Sequence, residues 1–79
     1  MPDSIRSIVE RFPERELELY RRCARDARFR AVCADYEEAS AALLRWQNVP
    51  ATGPGRVDEY RHLLAELEVE ILAQLERPA

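Results

Sequence analysis

The chain has 79 residues, 47% of them hydrophobic and 34% charged, with a formal net charge of −3. That length holds one small domain, and the mixture is that of a globular, helix-favouring chain rather than a disordered one. An acidic balance gives no general attraction to nucleic acid or anionic lipid, no apolar run approaches membrane-span length, and two Cys without a CxxC pair exclude a disulfide framework. With no secretory h-region in view, the expected compartment is a reducing cytosol with both thiols free. The charge is uneven: residues 1–34 carry eight Arg against six acids, net +2, and residues 35–79 carry four Arg against nine acids, net −5. All twelve basic residues are Arg, which fits a GC-rich coding bias as readily as carboxylate or phosphate recognition.

Residues 3–12 read as a short amphipathic helix, with Asp3 or Ser4 as cap and Ile5, Ile8, Val9 and Phe12 at helical spacing. Pro13 restricts Phe12 and suits the first turn of a second helix, 13–25. Glu14, Glu16 and Glu18 lie early in that helix and Arg21, Arg22 and Arg25 late, matching the helix dipole, and Glu18 with Arg22 makes an i,i+4 pair. Leu17, Tyr20, Cys23 and Ala24 are its expected inner face.

The central helix, 27–49, carries Phe29, Val32, Tyr36, Ala39, Leu43 and Trp46 on one stripe, leaving Asp35, Glu37, Glu38 and Arg45 for other sides. An unbroken helix from Pro13 to Asn48 would run roughly 54 Å against about 28 Å for the helix that follows. A break at Arg25–Asp26, with Asp26 as N-cap, shortens the central helix to about 34 Å and matches the two rods. Residues 50–56 hold two Pro and two Gly and read as a loop. The last helix, 57–77, presents Val57, Tyr60, Leu64, Leu67 and Ile71, with Leu75 one step off register. Asp58 and Glu59 fall in its expected first turn, Glu66, Glu68 and Glu70 on its outer side, and Pro78 ends it.

Neither stripe can be hidden alone, so the predicted fold is all-α: an antiparallel hairpin with one or two shorter N-terminal helices. Two helices bury too little apolar area to offset chain entropy comfortably, and self-association into a bundle, a dimer first, is expected to supply the rest.

Few residues invite chemistry. His62 stands alone between Asp58 and Glu66, far short of a metal or acid–base site, and reads as a surface histidine. On a continuous helix Cys23 and Cys33 would lie about 15 Å apart on different faces. A disulfide would need the chain to fold back between them, so both read as small buried hydrophobes. Arg21, Arg22, Arg25, Arg28 and Arg30, with Tyr20 and Phe29 nearby, form a basic patch whose nucleic-acid reading yields to pairing with the acidic final helix. Trp46 reads as a core or dimer-core residue. The chain has no phosphate-binding Gly loop and no Ser/His/Asp or Cys/His relay, and no catalytic residue, cofactor or metal is expected.

Phe29-x3-Cys33-x2-Tyr36, followed by the Gly/Pro loop and Glu59-Tyr60-x3-Leu64-x2-Leu67-x2-Glu70-Ile71-x3-Leu75, resembles the YdcH-like small bacterial helical-hairpin proteins over residues 24–77. The chain departs from that family in lacking Lys in the second helix and in carrying Trp46. The resemblance implies a hairpin in a bacterial cytoplasm and no activity to transfer. The expected function is a non-catalytic interaction or assembly module, with an unidentified protein as an additional partner. The alternative is a nucleic-acid-associated regulator built on the Arg cluster at 21–30, and a thiol redox sensor or metal-binding protein stands third.

Overall fold

The computed structural model describes residues 5–49 and 53–77. Over these the protein is all-α: α1 (Arg6–Arg11), a 3-10 turn (Pro13–Arg15), α2 (Glu16–Arg25), α3 (Ala27–Gln47) and α4 (Gly53–Glu76). The expected caps Asp3 and Ser4, the terminator Pro78 and loop residues 50–52 lie outside the described residues.

The break before α3 falls where the length argument puts it. Asp26 adopts an extended conformation (φ −134°, ψ 102°) and ends α2. Its carboxylate then accepts the backbone N–H groups of Arg28 (3.1 Å) and Phe29 (3.2 Å), two donors that a helix start leaves without partners. Arg22 reaches the same carboxylate through Nε at 2.9 Å. That ion pair, followed by the Phe29 amide, holds Asp26 below the ordinary carboxylate range. A depressed folded-state value contributes stability that is present above the unfolded value and lost as pH falls through the folded one. Asp26→Asn keeps a capping oxygen but cannot titrate. The loss in urea midpoint between about pH 7 and about pH 3 is therefore expected to be smaller in this variant than in the wild type. An equal loss would refute the assignment.

α4 starts at Gly53, so 53–56 belong to the helix and not to the loop. A proline close to a helix start costs no intrahelical hydrogen bond, which lets the segment wind early. Asp58 and Glu59 accordingly sit beyond the first turn. At 21 and 24 residues, α3 and α4 measure about 32 and 36 Å, a matched pair.

The buried core consists of Ile5, Ile8, Leu19, Phe29, Cys33, Tyr36 and Ile71, with Val9, Phe12, Cys23, Val32, Leu64, Leu67 and Leu75 packed around it. All four helices contribute, but only at the end of the hairpin that holds the start of α3 and the end of α4. The other end is two helices wide. The Cα radius of gyration, 13.3 Å, exceeds the roughly 11.6 Å of a compact chain this long, and the long axis is 44 Å.

α2 is rotated from its expected orientation. Leu19 is fully buried and Arg22 nearly so, whereas Leu17 is 62% exposed and Tyr20 and Ala24 also face out. Arg22 can occupy an inner position because its head has both hydrogen-bond acceptors and a ring to lie on. Nε meets Asp26, Nη1 donates to the Arg77 carbonyl at 2.9 Å, and the guanidinium lies 5.7 Å from the Phe29 ring centroid. The anticipated Glu18–Arg22 pair is therefore absent, and Glu18 pairs with Arg15 instead.

Two acids expected on outer faces point inward. Glu37 of α3 accepts the backbone N–H groups of Ser7 (2.8 Å) and Ile8 (3.2 Å). Ile5 at the start of α1 has no capping side chain of its own, so α1 is capped from another helix. Glu68 of α4 accepts from the Tyr36 hydroxyl at 2.6 Å and pairs with Arg11 at 3.4 Å. Burial, and then the Glu68 carboxylate, push the Tyr36 phenol well above its ordinary value.

Candidate functional site

The stripe expected to mediate association divides between two roles. Phe29, Tyr36 and Ile71 are buried in the core, with Val32, Leu64 and Leu67 half-buried beside it. Ala39 is buried, and Leu43, Trp46 and Tyr60 are half-buried, in the two-helix half. Trp46 is covered there by Arg56, whose guanidinium carbon is 5.4 Å from the ring centroid.

The seam between α3 and α4 has two flanks. Phe29, Cys33 and Glu37, spaced i, i+4, i+8, face the side taken by α1 and α2. Asp35, Glu38 and Ala42 lie on the opposite side of α3 by helical periodicity. There an open groove of about 510 Å³ runs along the hairpin, lined by Asp35, Glu38, Ala39, Ala41, Ala42, Arg45, Tyr60, Leu63 and Leu67. Alanines give α3 a low profile along the groove, and Leu63, at 40% exposure, stands on its wall. Asp35, Glu38 and Arg45 put both signs of charge along the α3 side. Small residues beneath large apolar walls suit the close approach of another helix. Sequence reasoning missed this surface because Ala41, Ala42 and Leu63 fall off the two stripes. Their spacing with Asp35, Glu38 and Arg45 was the available signal.

Of the five Arg residues of the basic patch, Arg21, Arg25, Arg28 and Arg30 are exposed and Arg22 is buried. Arg30 donates through Nη1 to the Cys23 carbonyl at 2.6 Å. Among the described residues, the Arg side chains from outside α4 that pair with its acids are Arg11, with Glu68, and Arg15, with Glu76, neither of them from the patch.

His62 is exposed, its Nδ1 lying 3.3 Å from the Asp58 carbonyl oxygen. No cluster of three or more His, Cys, Asp or Glu placed to hold a metal occurs among the described residues, nor does any helix there have the length and apolar character to cross a membrane. Cys23 and Cys33 depart furthest from expectation. With the chain turned at Asp26, their Sγ atoms are 4.0 Å apart, across the α2–α3 interface.

No protein-family model matches the chain, and neither curated proteins nor solved structures yield a match.

Proposed function

We propose that the protein is a non-catalytic helical assembly module that associates with a second copy of itself along the open flank of the α3–α4 seam. The observation carrying this reading is the charge order on α3. Glu38 and Arg45 are seven residues apart, about 10 Å, on either side of Ala41 and Ala42. A two-fold axis passing between those alanines sets Arg45 of each copy against Glu38 of the other, and Ala41 against Ala42. Such an interface is isologous, each copy offering the same patch. Leu63 and Leu67 then close over the groove from both sides, and the dimer supplies the apolar burial that the two-helix half lacks. Kinship with the YdcH-like hairpins belongs to the same proposal, rests on the residues of α3 and α4, and assigns no activity.

Sedimentation equilibrium over a concentration series tests it. The wild type is expected to dimerise, Arg45→Glu and Glu38→Arg each to weaken the dimer by about tenfold, since symmetry counts every repulsion twice, and the double reversal to restore it. A wild type that stays monomeric throughout, or single reversals without effect, would overturn the reading.

A further inference from the structure

The paired thiols have a chemistry that the assembly reading does not use. The Sγ atoms of Cys23 and Cys33 are 4.0 Å apart although ten residues separate them, and they come from different helices. Cys33 is fully buried on α3, between Phe29 and Glu37 on the flank that faces α1 and α2. Cys23 is half-buried near the end of α2, and Arg30 is anchored on its carbonyl oxygen. The two thiols are thus unequal: one is within reach of a small solute, and the other is in contact only with its neighbour and the core. Asp26 holds this arrangement, since its extended backbone folds α2 back onto α3 and its carboxylate fixes the start of α3. We propose that Cys23 and Cys33 form a redox modification site, closed to an intramolecular disulfide by a hydroperoxide and reopened by a dithiol.

The chemistry divides according to exposure. The Cys23 sulfur, as thiolate, attacks one oxygen of the hydroperoxide: an S–O bond forms, the O–O bond breaks, and the departing alkoxide or hydroxide takes a proton to leave as alcohol or water. Cys33 then attacks the Cys23 sulfur. The S–S bond forms, the S–O bond breaks, and water leaves with the Cys33 proton. Two thiols are oxidised and one peroxide is reduced. Burial raises both thiols above their ordinary value, more strongly at Cys33; at Cys23 the Cys33 hydrogen bond and then the Arg30 charge work against the rise, and the Asp26 charge adds to it. This assigns first attack to Cys23 and resolution to Cys33. Closure needs the sulfurs to approach by about 2 Å, from 4.0 Å to the length of an S–S bond. The product clasps α2 to α3 across the turn at Asp26, whereas the reduced protein holds α2 there through Leu19 in the core and the Arg22–Asp26 ion pair.

The test uses the full chain, reduced and then exposed to hydrogen peroxide under native conditions. Intact mass should fall by two hydrogen atoms, both thiols should become inert to alkylation, and peptide mapping should join the Cys23 and Cys33 segments. Dithiothreitol should reverse every change. The oxidised form should melt on the order of 10 °C higher, because the bond closes a short loop in the unfolded chain. In Cys33→Ala, which leaves no resolving thiol, Cys23 should stop as a sulfenic acid that dimedone traps. Three results would overturn the proposal: thiols in the wild type that stay alkylatable after peroxide, disulfides formed only between chains, or oxygen accumulating on Cys23 while Cys33 stays reduced. Sedimentation of Cys23→Ala separates this site from the assembly surface, since the dimer is expected to persist without the thiol.

Discussion

Phe29→Ala is expected to remove a large share of the protein's stability and to lower its urea midpoint more than any other single truncation of the core. The ring is fully buried, joins α2 to α3 and α4, and supports the Arg22 guanidinium at 5.7 Å. Truncating a buried Phe to Ala costs about 3–5 kcal/mol through lost transfer energy and the remaining cavity. A chain of 79 residues has roughly 4–12 kcal/mol in total. The loss here should fall at the upper end, because Arg22 would then face an empty space instead of a ring. Circular dichroism during urea titration measures this directly. Leu17→Ala, at a position 62% exposed on the same N-terminal segment, is the control and should shift the midpoint little. If the two variants unfolded at similar urea concentrations, the core described above would be misplaced.

The second large effect is expected at Glu37. Its carboxylate takes the N–H groups of Ser7 and Ile8, which the N-cap residue Ile5 has no side chain to satisfy. Removing an acceptor from two part-buried donors costs about 1–3 kcal/mol. Glu37→Ala should therefore release α1, uncovering Ile5 and Ile8, before the hairpin itself melts. Amide hydrogen exchange tests this, with protection lost first across residues 5–12 and retained in α3 and α4. Glu37→Gln, which keeps one oxygen, should retain most of the protection. Uniform loss along all helices in Glu37→Ala would argue that α1 is not separately held.

Both effects involve residues whose roles sequence periodicity describes unequally. The hairpin was legible because the stripes from Phe29 to Trp46 and from Val57 to Ile71 repeat at helical spacing over roughly four to five turns each, and periodicity over that distance is hard to produce otherwise. The break at Asp26 was legible from length and cap chemistry together. α2 was not. Its ten residues, ELELYRRCAR, offer Leu17, Tyr20 and Ala24 on one side and Leu19 with Cys23 on another, so two faces compete. The outcome was set by Arg22, whose partners Asp26, Phe29 and Arg77 meet it only in three dimensions. Glu37 and Glu68 escaped notice for the same reason: a carboxylate on a mostly polar arc reads as solvated until its distant donor is known. The Cys pair followed from the break itself, because the expected separation assumed a straight helix that the favoured turn had already abolished.

The position of Trp46 has an experimental consequence. It is the only tryptophan, and it stands near the far tip of the hairpin, outside the packed base and beneath the cation of Arg56. Its emission therefore reports on the tip alone, and denaturation followed by fluorescence would register fraying there while ellipticity still records an intact base. Disagreement between the two optical curves would measure how loosely the distal turns are tied to the rest of the molecule.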